Sequence, residues 1–246
     1  RSRATGFWSG DTQTASGGLV EERSSAETLA LERGGKTAEC VGAFPVEGSP
    51  TPLDVPGGGW TRRGARVDAD LGAGAITLGV IGDIKQADDD TLRNLGHFVG
   101  EFKKAGITAL LVAGDVAETS AGIRDSLEVL ANVEVPVLVI PGNRESYGRY
   151  RGAMAAAAKE HGNLVDMAQI RLVDAGRFSV VSLPGYYDPR YVHAKDGCLY
   201  RPEHVAALPA IAAQGSGTPK ILLAHSPPKA KGKGSIDYAD AGANVG

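Results

Sequence analysis

The sequence has little of what marks several specialised classes of protein. Its 246 residues include only two cysteines, Cys40 and Cys198, whose wide separation excludes a zinc ribbon, a CxxC redox motif and a disulfide-rich scaffold. Apolar runs are short, as at 109–113 and 135–140, whereas a membrane-spanning helix needs about 18 apolar residues or more. Net charge is also small, at −3 from 26 basic and 29 acidic residues, so no global basic field is available to hold nucleic acid.

What the sequence does contain is typical of a folded globular protein. Hydrophobic residues make up 42% of it, and its 34 glycines and 13 prolines indicate many tight turns. A single long-range disulfide between the two cysteines remains open. The sequence begins at Arg1 without a Met, so either a leader has been removed or an N-terminal piece is missing. Together with the Gly-, Ser- and Thr-rich start, this slightly favours an exported or cell-envelope protein over a cytoplasmic one.

The chain changes character after its first 64 residues. Residues 1–64 are predicted to form a β-rich N-terminal extension, with a hairpin over 27–44 followed by prolines and a run of three glycines at 57–59. Residues 65–246 are predicted to form the main domain. The extension either packs on that domain or forms a small module of its own.

The main domain alternates apolar strands with helices. Repeated strand-helix units predict a parallel sheet whose strands all end at one edge, and continuous apolar runs predict strands buried on both faces. The predicted strands are 67–71, 75–81, 107–113, 135–140 and 220–224, with shorter antiparallel strands within 164–183. The predicted helices are 88–104, 119–130, 145–161 and a weaker one at 203–213, within an insertion at 186–217.

Polar residues follow four of these strands. Asp83, Asp115 and Asn143 each come after a glycine at the end of a strand, and His225 follows the strand at 220–224. Because the C-terminal ends of strands line the usual functional crevice of an open α/β sheet, we expect these side chains to lie together. Each aspartate taken singly is explained as an ordinary helix cap. As an ordered set of hard oxygen donors with one imidazole, they predict a site for manganese, iron or zinc.

The motifs around these residues resemble those of the calcineurin-like metallophosphoesterase superfamily. The family pattern runs GDxH, GD, GNH followed by an acidic residue, a strand ending in His, and GHxH. This sequence reads Gly82-Asp83-Ile84-Lys85, Gly114-Asp115, Gly142-Asn143-Arg144-Glu145 and Ala224-His225, in the same order and at similar intervals. The resemblance implies an α/β fold in which a sandwich of two mixed β-sheets is flanked by helices. It also implies a dinuclear metal site that hydrolyses phosphoesters.

The resemblance assigns roles to the matching residues, with Asp115 bridging the two metal positions. The residues implied as metal ligands are Asp83, Asp115, Asn143 and His225. Two positions depart from the pattern: Lys85 stands where the family has a metal-binding His, and Arg144 stands where it has the His that assists at the phosphate. GHxH is absent, and the sequence is expected to stop before the segment that would carry it.

These departures leave two hypotheses about function. A lysine ammonium offers no lone pair to a metal, and an arginine binds phosphate but cannot exchange a proton near neutral pH. In the first hypothesis Lys85 and Arg144 replace the metals electrostatically, and the domain is a binding or structural module with weak or no hydrolysis, whose partner is a phosphorylated small molecule or a protein. In the second it is an active metal-dependent phosphoesterase that uses one metal or completes its site beyond Gly246. Asp115 and Arg144 are the predicted catalytic residues, and Asn143, Arg144 and Lys85 are predicted to bind substrate.

Overall fold

The structure is a computed structural model that describes residues 38–44, 48–55, 58–71 and 74–226. The helices in this part of the chain are α1 (Asp89–Lys104), α2 (Ser120–Ala131), α3 (Tyr147–Glu160) and α4 (Pro202–Ala212). The strands there are β1 (Ala38–Glu39), β2 (Thr51–Pro52), β3 (Trp60–Arg63), β4 (Arg66–Ala69), β5 (Leu78–Ile81), β6 (Ala109–Val112), β7 (Val137–Val139), β8 (Leu164–Asp166), β9 (Leu172–Asp174), β10 (Ser179–Leu183), β11 (Cys198–Leu199) and β12 (Lys220–Ala224). Over the same residues, no helix is both long and apolar enough to cross a membrane.

A four-stranded parallel sheet carries the predicted alternation of strands and helices. Its order is β5-β6-β7-β8, with α1 after β5, α2 after β6 and α3 after β7. Each helix begins after a polar side chain that accepts an N–H from its first turn, namely Asp88, Thr119 and Ser146 in chain order. The strands all run the same way, so their C-terminal ends share one edge.

A six-stranded mixed sheet packs on the parallel sheet and completes the predicted sandwich. Its order is β12-β10-β9-β4-β3-β2, and it combines parallel and antiparallel pairs. Leu111 of β6 and Leu138 of β7 pack in the core between the sheets, whereas their neighbours Leu110 and Val137 pack among the helices. Helix α4 covers the outer face of the six-stranded sheet through Ile211. The layers are therefore helix, sheet, sheet and helix, which confirms the predicted α/β fold.

The first strand of the parallel sheet differs from its prediction. The apolar run at 75–81 predicted a strand buried on both faces, but β5 is shorter and its Val80 is 61% exposed. Among the described residues β5 pairs with β6 alone, so it lies at an edge of the sheet, where Leu78 still packs against the core but Val80 does not. The central strands β6 and β7 are buried along their whole length, as predicted.

Part of the predicted N-terminal extension joins these sheets. β2 and β3 add antiparallel strands beside β4, so the turn between β3 and β4 spans the predicted boundary between residues 64 and 65. β1 pairs in parallel with β11, and Cys40 next to it forms a disulfide with Cys198. The hairpin predicted over 27–44 falls mostly in residues 1–37, which lie outside the described residues. The division into an extension and a domain stays a prediction.

Asp174 joins the six-stranded sheet to the loop that precedes β12. Its carboxylate accepts N–H groups from Ser216 (2.6 Å), Gly217 (3.0 Å) and Gly176 (3.3 Å), and the guanidinium of Arg66 lies 3.1 Å away. Burial alone would raise the pKa of Asp174, but the backbone hydrogen bonds outweigh burial and lower the pKa to about 2. The charged carboxylate therefore stabilises the fold.

Replacing Asp174 by Asn should lower the free energy of unfolding by about 2 kcal/mol near neutral pH, the amount that a pKa shift from 3.8 to about 2 represents. As the pH falls, the unfolded carboxylate takes up its proton before the folded one does. The contribution is therefore complete above about pH 4 and is lost toward about pH 2. Urea unfolding of the original and substituted chains at about pH 7 and about pH 3 measures both effects.

The matched control is Asp68→Asn on β4. Asp68 pairs with the same Arg66 at 2.6 Å, but its side chain is 42% exposed. The free energy of unfolding should change there by less than about 1 kcal/mol. A loss in Asp174→Asn that is equally large at both pH values would contradict this account.

Candidate functional site

The loops after β5, β6 and β7 meet at the C-terminal edge of the parallel sheet. The backbone N–H of Asp83 donates to the carbonyl of Gly114 (3.1 Å), and the N–H of Lys85 donates to the carbonyl of Asp115 (2.7 Å). Asp83, Lys85 and Asp115 have left-handed backbone, with φ of 57°, 69° and 55°. Non-glycine residues in this conformation cost free energy and are concentrated at functional sites.

Asp115 lies at the centre of the site and is only 3% exposed. Its Oδ1 accepts the backbone N–H groups of Asn143 and Arg144, each at 3.0 Å. His225, which follows β12, places its Nε2 3.4 Å from the same oxygen. The carboxylate thus joins the loop after β7 to the loop after β6 and fixes where both run.

The side chains of Asn143 and His225 contact each other at the edge of the site. Nδ1 of His225 lies 2.8 Å from the carbonyl of Ala113, and it must be the donor because a carbonyl only accepts. Nδ2 of Asn143 donates to the carbonyl of Tyr191 at 2.6 Å, which leaves its Oδ1 2.9 Å from Nε2 of His225. Both of these atoms are acceptors unless the imidazole carries a second proton. A cation beside them satisfies both.

The donor set fits a divalent metal. Asp83, Asp115 and His225 each offer a ligand atom, and these atoms lie within 4.8 Å of one another. With Oδ1 of Asn143 they form a group of oxygen donors and one imidazole. The structure therefore brings together the four residues predicted as metal ligands, and their roles stay predictions.

The two departures from the family pattern lie beside these ligands as cations. Nζ of Lys85 is 3.5 Å from Oδ1 of Asp83, and the side chains are 48% and 67% exposed. Nη1 of Arg144 is 2.9 Å from Oε1 of Glu118, and its Nε is 3.9 Å from Oδ2 of Asp115. Both cations therefore lie next to carboxylates at the mouth of the site, where an anion could reach them.

Sequence reasoning gives no role to Glu145, although an acidic residue at its position is part of the family pattern. Glu145 is fully buried, and its two carboxylate oxygens accept the N–H groups of Val116 (2.5 Å) and Gly142 (2.9 Å). Burial and, after it, the nearby Asp115 carboxylate raise the pKa of Glu145 to about 7. Glu145 is thus a positioning residue that joins the loops after β6 and β7 from below the site.

Two glycines let these loops approach each other. A Cβ on Gly114, whose φ is +91°, would meet the backbone N of Gly142 at 2.6 Å. A Cβ on Gly142 would collide with Oδ1 of Asp115 and lie 2.9 Å from Cε1 of His225. No larger residue fits either position without moving the site.

A family profile matches the part of the chain that carries this site. The sequence matches the family profile described as calcineurin-like phosphoesterase over residues 76–244. The chain belongs to that family. A comparison with curated proteins finds no match.

Solved structures resemble this phosphoesterase chain at low sequence identity. A protein of Thermus thermophilus is 19% identical, with a TM-score of 0.48 over 63% of this chain and 69% of that one. A dimetal phosphatase from Danio rerio is 13% identical, with a TM-score of 0.44 over 62% of this chain and 70% of that one. A phosphopantetheinyl hydrolase from Mycobacterium tuberculosis is 22% identical, with a TM-score of 0.40 over 61% of this chain and 68% of that one.

The insertion predicted at 186–217 forms one wall of the phosphoesterase site. The ring of Tyr186 lies 6.1 Å from the ring of His225 and 6.1 Å from that of Tyr191. The backbone N–H of His193 donates to the carbonyl of Asn143 at 2.9 Å. The insertion therefore holds two of the predicted metal ligands from the side.

Gly142→Ala should lower the free energy of unfolding by about 2 kcal/mol or more, because the added methyl group overlaps Asp115 and backbone must move to relieve it. Thermal and urea unfolding measure the loss. Gly152→Ala is the matched control, since a Cβ there, within α3, meets nothing within 4 Å. That control should be neutral or more stable by up to about 1 kcal/mol. Equal stability of the two variants would show that the close approach is not required.

Proposed function

We propose that this calcineurin-like phosphoesterase domain binds a phosphorylated ligand, a small molecule or a protein segment, and hydrolyses it weakly or not at all. The observation that carries the proposal is the ammonium of Lys85, 3.5 Å from the carboxylate of Asp83. An ammonium has no lone pair for a metal and repels one electrostatically. The first of the two metal positions implied by the family pattern therefore loses its nitrogen ligand and gains a positive charge.

Arg144 supports the same proposal. A guanidinium holds two phosphate oxygens through parallel N–H bonds, but it cannot give or take a proton near neutral pH. At this position it binds a phosphoryl group without supplying the acid that a leaving group needs. Binding of the phosphoryl group is therefore retained, and proton donation to the leaving group is lost.

One divalent metal remains compatible with the site. Asp115, Asn143 and His225 would hold it, and manganese, iron and zinc all suit these donors. When bound it would polarise a phosphoryl oxygen as a Lewis acid. Lys85 and Arg144 would orient the remaining oxygens of the same group. If no metal binds, the two cations alone balance the carboxylates.

A second candidate is an active metal-dependent phosphoesterase. It is favoured by the convergence of the Asp83, Asp115 and His225 ligand atoms within 4.8 Å. In that case Asp115 is the bridging ligand and Asp83 binds a metal despite Lys85. The two candidates differ in turnover, since the active enzyme works with one metal or with two.

Metal content and hydrolysis of p-nitrophenyl phosphate and bis(p-nitrophenyl) phosphate in manganese test the proposal on the full chain. We expect no more than about one metal per chain and turnover near the uncatalysed rate. Asp115→Asn should weaken metal binding at least about tenfold, and the exposed Asp125→Asn on α2 should not change it. Turnover well above the uncatalysed rate that Asp115→Asn abolishes, with either one or two metals per chain, would overturn the proposal in favour of the active enzyme.

Phosphoryl binding is measured separately with phenylphosphonate, which cannot be hydrolysed. Arg144→Gln should weaken its binding by about tenfold or more, the usual cost of losing a charged hydrogen bond. Arg151→Gln, on the surface of α3, is the matched control. Equal binding of phenylphosphonate by both variants would show that Arg144 does not bind the phosphoryl group. Lys85→His should raise the metal content, because an imidazole offers a metal the lone pair that an ammonium lacks. The substitution should be tolerated, since His adopts the left-handed backbone at this position more readily than most residues.

We also propose that the protein is exported or resides in the cell envelope. The Cys40–Cys198 disulfide supports this, because disulfides form and persist in oxidising compartments. Both cysteines are buried, so the protein from its native source is alkylated in denaturant; mass measurement should then find neither thiol modified before reduction. Two reactive thiols would contradict the proposal.

A further inference from the structure

A separate cavity of about 600 Å³ lies on the outer side of the six-stranded sheet, between α4 and the segment at residues 41–44. This volume is within the range of about 300–1,000 Å³ that is usual for small-molecule sites. Most of the wall is apolar, from Val41, Phe44, Ala207, Ala210 and Ile211. The cavity shares no lining residue with the phosphoester site.

A buried arginine lines this cavity. Arg171 is only 2% exposed, and it donates to the carbonyl of Ser182 through Nε (3.2 Å) and Nη2 (3.0 Å) and to the carbonyl of Gly42 through Nη1 (2.9 Å). A guanidinium has five N–H groups, so two of them remain after these bonds. Both partners are neutral carbonyls. No carboxylate of the described residues pairs with this side chain.

Such an arrangement is unusual because buried charges are normally paired. Burial lowers the pKa of Arg171 to about 10. None of the described residues that line the cavity is acidic. Over the described part of the chain, the positive charge at this mostly apolar wall therefore has no carboxylate to balance it.

We propose that this cavity binds an amphipathic monocarboxylate. The two remaining N–H groups of Arg171 match the two oxygens of a carboxylate, and one guanidinium balances one negative charge. The apolar wall holds the hydrocarbon part of the ligand. His204 and Gln214 add polar atoms to the lining. The site is independent of phosphoester binding, so neither proposal depends on the other.

Decanoate is the probe, titrated into the full chain by calorimetry below its micelle concentration. We expect binding of one molecule per chain, with decanol and acetate each binding at least about tenfold more weakly, because one lacks the charge and the other the chain. Decyl phosphate should not bind more tightly than decanoate. Absence of decanoate binding, or tighter binding of decyl phosphate, would overturn the proposal.

Substitutions in and near the cavity lining test where decanoate binds. Arg171→Met should abolish binding, but this change also removes the bonds to Gly42 and Ser182 that help to hold the fold. Ala210→Trp therefore provides a second variant, which fills the cavity from an exposed position of α4 and keeps Arg171 in the sequence. It should weaken decanoate binding at least about tenfold. Ala206→Trp, exposed on α4 but outside the cavity lining, is the matched control and should leave binding unchanged. Equal affinity in Ala210→Trp and Ala206→Trp would overturn the assignment.

Discussion

The site depends on the buried carboxylate of Asp115, which accepts two backbone N–H groups. Through Oδ1 it holds the N–H groups of Asn143 and Arg144, and its own carbonyl accepts the N–H of Lys85. One residue thus ties the loops after β5, β6 and β7 to each other. The absence of a side chain at Gly142 makes the approach sterically feasible.

Holding Asp115 in this buried position places its negative charge close to a second buried carboxyl group. Asp115 and Glu145 are both buried, and Asp115 adds to the burial that raises the pKa of Glu145 to about 7. Positive charge near Asp115 is therefore favourable, whatever supplies it. A metal between Asp115 and His225 meets that requirement, and so does the guanidinium of Arg144 at 3.9 Å. The requirement for positive charge is common to a metalloenzyme and to a phosphate-binding relative without metal.

Local periodicity predicted the repeated strands and capped helices from 75 to 161, whereas the sandwich of two sheets was implied by the family resemblance. Strand polarity determines that Asp83, Asp115 and Asn143 meet at one edge of the parallel sheet, and His225 reaches them from the end of β12 in the other sheet. The exposure of Val80 could not be predicted, because an apolar run does not show whether a strand is central or at an edge. The roles of Glu145 and Arg171 also depend on contacts between distant segments, which periodicity does not encode.

At Lys85 the backbone has a role in the fold of the loop, and the side chain has a different role in the chemistry of the site. Its backbone N–H donates to Asp115, and its φ of 69° makes the turn that aims Asp83 at the site. The hydrogen bond involves only the backbone, so it does not require the imidazole that the family pattern has at this position. The sequence can therefore match the calcineurin-like phosphoesterase profile over residues 76–244 although Lys85 stands where the family pattern has a metal-binding His. In the function proposed above, Lys85 and Arg144 hold a bound phosphoryl group but do not supply the chemistry that hydrolyses it.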